Sequence, residues 1–335
     1  MRLVQVLRAA ERRVGLVDGE RLRLLDVRLG PDIYSLAMTA TDGGGDLSAA
    51  VERAAGAESA DYTAIYEGVS EWRVLPAFDH PGDAAHCMVS GTGLTHKASA
   101  ENRAAMHKRS QGEMTDSTRM FQLGLEGGSP EAGQIGVQPE WFFKGDGSIL
   151  RAHGEELVVP PYGWDGGEEP EIAGVYVVGR NGRPRRVGLT QGNEFSDHRM
   201  EKKNYLYLAP SKLRNCAIGP ELMVGEVDFG DVPGTVAILR GGTTLWRKDI
   251  WTGQQNMSYS VANLEHHHFK YEAHRRPGDA HVHFFGADAF SFGDGIELKE
   301  NDVMEISFAS FGLPLRNFLT VSDPPEKFVA VETLK

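Results

Sequence analysis

From Trp141 onward, short apolar stretches alternate with turns rich in glycine and proline, and this pattern limits the chain to a β-rich fold. "EIAGVYVVG" (171–179), "GEVDFGDVPGTVAILRGG" (225–242) and "HVHFFGADAF" (281–290) read as strands, or as strands with their turns. Forty glycines in 335 residues supply the tight turns that such a fold needs. Upstream, residues 2–7, 13–17 and 21–27 also read as strands, with "VDGE" as a turn between the last two. Helical spacing follows at "SLAMTA" and "LSAAVERAAG". The Pro, Gly and Asp cluster at 76–85 is the best boundary in the chain. The expected class is therefore α+β and β-rich, with a small N-terminal α+β domain over 1–85 and a larger domain over 86–335. Between Ser99 and Phe121 lies a polar, helix-capable segment with little apolar periodicity, so any helix there should be poorly anchored.

Charged residues make up 24% and hydrophobic ones 41%, as in an ordinary globular protein. A net charge of −12 argues against nucleic acid or an anionic membrane as partner. It leaves room for a small anionic substrate, because a bound divalent cation reverses the local field. Cys87 and Cys216 are the two cysteines, and neither lies in a C-x-x-C pattern, which fits a reducing, cytoplasmic setting. Charges interrupt the N-terminal stretch throughout, so neither a signal peptide nor a membrane span is expected there.

The run Glu168–His198, "EEPEIAGVYVVGRNGRPRRVGLTQGNEFSDH", sets carboxylates at both ends of an expected hairpin. Residues two apart on a strand share a face, so Glu169 and Glu171, flanking Pro170, project the same way. "GRNGRPRRV" has the composition of a hairpin loop, and Glu194 returns at the end of the next strand to meet them. Three convergent carboxylates suit a hard, oxygen-preferring ion, Mg²⁺ or Mn²⁺. Spacing alone equally allows an exposed strand edge decorated with acids.

Several segments, in one order, resemble the fumarylacetoacetate hydrolase superfamily: "GTGLTH", "WFFKGDGSILRAHGEELVVPP", "EPEI", "TQGNEFSDH", "SKLRNCAIGPEL", "HRRPGDAHVHFFG" and "LPLRN". The resemblance covers about residues 88–320. It implies a mixed β-sandwich roll, a homodimer, and a 2-keto acid chelated to a metal held by Glu169, Glu171 and Glu194. Glu194 stands where the family usually has Asp, one methylene shorter. By the same resemblance Lys212 faces the ligand as candidate base, and Lys144, Asn193 and Ser196 bind substrate.

Hydrolases and decarboxylases of the superfamily often carry N-Y-x-x-H-x-x-E in the lid, whose His and Glu activate a water. This chain reads "LTHKASAEN", with Ser99 at the His position and Asn102 at the Glu position, while His96 and Glu101 fall out of register. The lid therefore resembles the sugar-acid dehydratase branch, which converts 2-keto-3-deoxy-pentonates to 2,5-dioxopentanoate. Ser99, Thr95 or His96 would then handle the leaving hydroxyl. An acylpyruvate hydrolase or oxaloacetate decarboxylase is the alternative, and a binding protein without turnover is a third reading.

"EHHHFKYEAHRRPGDAHVHFF" carries six of the twelve histidines. His281 and His283 share a strand face, and because that strand resembles one near the superfamily's active site, the resemblance implies that they bind substrate hydroxyls. A zinc site there is conceivable, but no cysteine or H-E-x-x-H pattern supports it. Arg275 and Arg276 fit either a carboxylate contact or the surface.

Overall fold

The computed structural model describes residues 1–107 and 115–334, and the side chains of Asn102, Met106 and His107 also lie outside the description. The N-terminal pattern forms β1 (Arg2–Arg8), β2 (Glu11–Asp18) and β3 (Arg21–Leu25), with Gly19 at φ +59° turning the "VDGE" hairpin. Helices α1 (Ile33–Asp42) and α2 (Leu47–Ala54) start where Asp32 and Asp46 accept the amides of Ser35 and Ala49. Then come β4 (Ala55–Asp61), α3 (Tyr62–Tyr66) and β5 (Arg73–Val74).

The larger region opens with β6 (Cys87–Gly93), α4 (Lys97–His107), α5 (Asp116–Gly127) and β7 (Glu140–Asp146). Two short strands, β8 (Leu150–Arg151) and β9 (Glu156–Val159), precede the expected hairpin of β10 (Pro170–Val178) and β11 (Pro184–Asn193). Next are α6 (His198–Lys203), α7 (Leu208–Lys212), β12 (Cys216–Ile218) and β13 (Leu222–Met223). The chain continues with β14 (Val232–Arg240), β15 (Thr243–Thr252), α8 (Val261–Phe269), β16 (Ala280–Phe284), β17 (Val303–Phe308) and β18 (Leu315–Val321).

The described strands form a 13-stranded sheet, whose main path runs β4-β3-β2-β1-β13-β11-β10-β16-β6-β7, and a 5-stranded sheet ordered β15-β14-β17-β18-β9. β10 lies centrally in the large sheet and all nine of its residues are buried, which is why it reads as a nearly continuous apolar run. Apolar clusters fill the space between the sheets, Ile172, Leu189 and Phe285 meeting Val236, Ile306 and Phe308. On the other face, Ala173, Val175, Val177, Val282 and Phe284 pack with Leu36, Ala37, Val51 and Ala54 of α1 and α2.

That second cluster joins the segments on either side of residues 76–85, and β1 pairs with β13, while Val4, Leu22, Tyr62, Ile65 and Trp72 belong to a further cluster whose buried residues all lie within 1–85. Among the described residues, no helix is long and apolar enough to cross a membrane.

Candidate metal centre and active site

β10 and β11 pair antiparallel with Pro170 opposite Asn193 and Glu171 opposite Gly192. The Glu194 amide donates to the Glu169 carbonyl at 3.0 Å, which extends the ladder by one step. Side-chain alternation then places Glu169, Glu171 and Glu194 on one face, beyond the end of the cluster that contains Ala173 and Val175. All three are buried, and one carboxylate oxygen from each lies within 4.8 Å of the others. Among the described residues this is the one group with the composition and geometry to hold a metal ion. Glu168 has the opposite phase and turns away, accepting the amide and hydroxyl of Ser291 at 2.6 and 2.8 Å.

Lys212, at the end of α7, reaches into the carboxylates. Its Nζ donates to Glu169 Oε1 and Glu194 Oε2 at 2.7 Å each, and to Ser196 Oγ at 2.9 Å. Burial alone would lower this ammonium, but Glu169, Glu194 and Glu201 outweigh it and hold Lys212 well above its usual range. Burial likewise works to raise Glu169, yet Lys212 and His198 keep it well below the usual carboxylate range. Glu171 has no such cation: burial, then Glu194 and Glu169, push it well up, opposed mainly by the Gly286 amide at 2.7 Å. A hard divalent cation would relieve that repulsion, so three oxygen donors with one uncompensated acid fit Mg²⁺ or Mn²⁺. Gly286 sits at φ +100°, and a Cβ there would lie 2.0 Å from Thr95 Oγ1, so glycine is required where this amide meets Glu171.

The other expected residues are placed differently. Lys144 is fully buried and its three N–H directions are spent on Glu194 Oε1 at 2.5 Å, the Phe195 carbonyl at 2.6 Å and the Lys212 carbonyl at 3.2 Å. It braces Glu194 and has no donor left for substrate. Asn193 points toward the second sheet, where its Nδ2 lies 3.6 Å from Met304 Sδ, and its Oδ1 accepts the Glu169 amide. Ser196 does reach the centre, between Lys212 and Glu194.

Thr95 Oγ1 donates to the Phe285 carbonyl at 2.8 Å, so it accepts from His96 Nδ1 at 2.9 Å, and His96 Nε2 then accepts from Thr252 Oγ1 at 3.2 Å. Burial lowers His96 to about 3, and the neutral ring is committed at both nitrogens. Ser99 Oγ donates to the His96 carbonyl in the first turn of α4. The Asn102 side chain lies outside the described residues.

His281 and His283 point away from the carboxylates, because their neighbours Ala280, Val282 and Phe284 pack on the Ala173 face. His283 binds Ser90 and Thr92 through its two ring nitrogens at 2.9 Å each. Trp141 Nε1, a donor only, reaches His268 Nδ1 at 3.2 Å, so His268 Nε2 donates to His281 Nδ1 at 3.1 Å. These histidines form a hydrogen-bonded cluster of the core with no metal-binding geometry.

Four residues of the site were not singled out by the sequence. His198 Nε2 lies 3.1 Å from Glu169 Oε1, and its ring stacks on Phe290. Arg103 of α4 binds Glu140 and Glu201, and Glu201 Oε1 stands 3.4 Å from Lys212. Of the segment expected to be poorly anchored, residues 108–114 lie outside the described residues, and α4 is tied down by this buried ion pair. The one legible trace was the glycine of "GTGL": Gly93 pairs with Glu140, whose carboxylate lies where a Cβ would be.

The two sheets and the carboxylate face define a β-rich fold of the fumarylacetoacetate hydrolase type. Among solved structures, a 2-keto-3-deoxyarabinonate dehydratase in a hexagonal crystal form matches 97% of this chain and 100% of its own, at 19% identity and a TM-score of 0.71. A 2-keto-3-deoxy-D-arabinonate dehydratase complexed with magnesium and 2,5-dioxopentanoate matches 96% and 99%, at 19% identity and a TM-score of 0.69. A 2-hydroxyhepta-2,4-diene-1,7-dioate isomerase from Mycobacterium marinum matches 97% and 100%, at 14% identity and a TM-score of 0.57. No protein-family model and no curated protein matches the sequence. The likeness is one of fold, and it agrees with the resemblance carried by the sequence motifs.

Proposed function

We propose that the chain is a divalent-metal-dependent hydro-lyase that converts a 2-keto-3-deoxy sugar acid, a 2-keto-3-deoxy-pentonate, to 2,5-dioxopentanoate in pentose breakdown, as a cytoplasmic homodimer. The observation that carries this reading is a buried carboxylate trio in contact with Lys212, beside a lid in which Ser99 takes the position of the water-activating His, while the out-of-register His96 is neutral and committed at both nitrogens. Glu169, Glu171 and Glu194 would hold Mg²⁺ or Mn²⁺, which supplies Lewis-acid polarisation of the substrate's keto group. A neighbour of the same fold carries magnesium and 2,5-dioxopentanoate, the product this reading requires.

Lys212 is the candidate to take a proton from C3 once the charge of the trio is neutralised. Loss of hydroxide from C4, protonated as it leaves, expels water. Loss of a C5 proton and return of one to C3 then give the enol that becomes the C5 aldehyde. Ser99, whose hydroxyl donates to the His96 carbonyl at 3.1 Å and would have to turn from it, is the candidate to meet the leaving oxygen. Thr95 and His96 hold this wall in place through Phe285 and Thr252.

The test is an assay with magnesium or manganese on both C4 epimers of 2-keto-3-deoxy-pentonate and on an acylpyruvate. The expected result is 2,5-dioxopentanoate from one epimer, lost on chelation and lowered about 10²–10⁴-fold in Lys212→Ala. Pyruvate from the acylpyruvate with no product from either epimer would overturn the proposal.

A further inference from the structure

We propose that Arg103 is a positioning residue that docks helix α4 beside the metal centre and, through Glu201, holds Lys212 in place. This rests on the functional reading above only for the role given to Lys212. Arg103 is 8% exposed, and its guanidinium spans two carboxylates from two different elements. Nη1 donates to both oxygens of Glu140 on β7, at 2.8 and 3.2 Å, while Nη2 lies 3.3 Å from Glu201 Oε2 on α6. The other oxygen of Glu201 accepts from Ser211 at 3.0 Å and stands 3.4 Å from Lys212 Nζ. Lys212 in turn contacts Glu169 and Glu194. An unbroken line of charge contacts therefore runs from α4 to the carboxylate trio.

Among its described residues, α4 has little apolar anchoring. Ala100 and Ala104 are its buried apolar residues among those described, and both are small, while Lys97 and Glu101 pair with each other at the surface. Ordering α4 depends on one fork-shaped cation meeting two carboxylates, a geometry that a lysine cannot reproduce. Removing Arg103 leaves Glu140 buried without its cation and leaves Glu201 with Lys212 alone, which draws Lys212 from Glu169 and Glu194. Docking of α4 and placement of Lys212 are thereby one event.

Two variants and two readouts test this. Washout of the C3 protons of pyruvate in deuterated water, with magnesium, reads enolisation without requiring dehydration, and amide exchange over 97–107 reads the docking of α4. Arg103→Gln is expected to speed amide exchange of α4 and to slow C3 washout about 100-fold, the effect of a misplacement near 1 Å. The double variant Arg103→Met with Glu140→Leu refills the α4–β7 contact with apolar groups. It should recover amide protection while C3 washout stays at least about 10-fold down, and Arg103→Lys should not rescue washout.

Washout within about threefold of wild type in Arg103→Gln, or full recovery in the double variant, overturns the proposal. So does a wild-type protein that exchanges no C3 proton, since Lys212 then has no proton transfer to be positioned for. Wild-type washout without formation of 2,5-dioxopentanoate would instead overturn the dehydratase reading and leave the Arg103 comparison decisive.

Discussion

His198 stands beside the carboxylate trio without belonging to it. Its Nε2 meets Glu169 Oε1 at 3.1 Å, and its ring lies flat against Phe290, with centroids 4.5 Å apart and planes 9° apart. Nδ1 is buried with no partner among the described residues, so the ring has one productive hydrogen bond and it goes to a predicted ligand. Such a partner fixes which oxygen of the carboxylate faces the cation. His198→Phe keeps the stack and removes only that bond. The expected outcome is a fall in Mn²⁺ affinity of about 10–100-fold by titration calorimetry, with the thermal midpoint of the metal-free protein little changed. Unchanged affinity would assign His198 to packing alone. The carboxylates themselves were legible because E-x-E on a strand fixes their phase, and because the hairpin that brings Glu194 back is local. Arg103, Glu140, Glu201 and His198 were not, since His198 lies 29 positions from Glu169, and Arg103 lies 37 from Glu140 and 98 from Glu201, and no local spacing encodes such meetings.

Strand β16 marks the limit of strand periodicity. Alternation correctly set His281 and His283 on one face, but a strand buried on both sides has two interior faces, and alternation does not say which one holds the site. The pairing of β16 with β10 and β6 decides it, turning these histidines toward Ser90, Thr92, Trp141 and His268. Burial lowers His281 to about 4 and His283 to about 3, and His268 well below its usual value, with the neighbouring histidines and Arg276 adding to this and Asp279 opposing it at His281. In the unfolded chain each returns to 6.5. The unfolded state therefore binds more protons below that value, so the stability these neutral rings allow is complete above about pH 6.5 and is lost as pH falls toward 4. Each unit of depression is worth roughly 1.4 kcal/mol, so three buried rings make the effect large. Urea unfolding between pH 7.5 and 4.5 is expected to show a steep drop in midpoint, and His283→Val, which leaves Ser90 and Thr92 free to pair locally, should flatten it. A midpoint insensitive to pH over this range would show that the rings do not stay neutral in the folded cluster.

At the scale of the whole molecule, the first 85 residues are bound to the rest by the same forces that hold the site. Leu3, Val14, Leu25, Ile33, Leu36 and Val51 share one cluster with Val89, Ala173, Val175, Val282 and Phe284. The β1 strand extends the large sheet through Arg2 and Leu3, which pair with Met223 and Leu222. Glu221, fully buried, accepts from Arg2 at 3.0 Å and from Tyr62 at 2.9 Å on one side, and from the Leu313 amide at 3.0 Å on the other. The Pro and Gly cluster at 76–85 resembled a linker because composition reports a turn-rich connection and carries no information about what packs across it. Removing residues 1–85 would expose the β10 and β16 face that supports Glu171 and strip Glu221 of two of its donors. Burial at roughly 25 cal/mol per Å² of apolar surface then becomes a loss that exceeds the few kcal/mol of net stability typical of a domain. The fragment 86–335 should accordingly fail to give a cooperative thermal transition, whereas co-expression with 1–85 as a separate chain should restore one along with metal binding. A fragment that melts cooperatively and binds Mn²⁺ by itself would mean that the carboxylate face is held by its own sheet, and that the N-terminal segment only covers it.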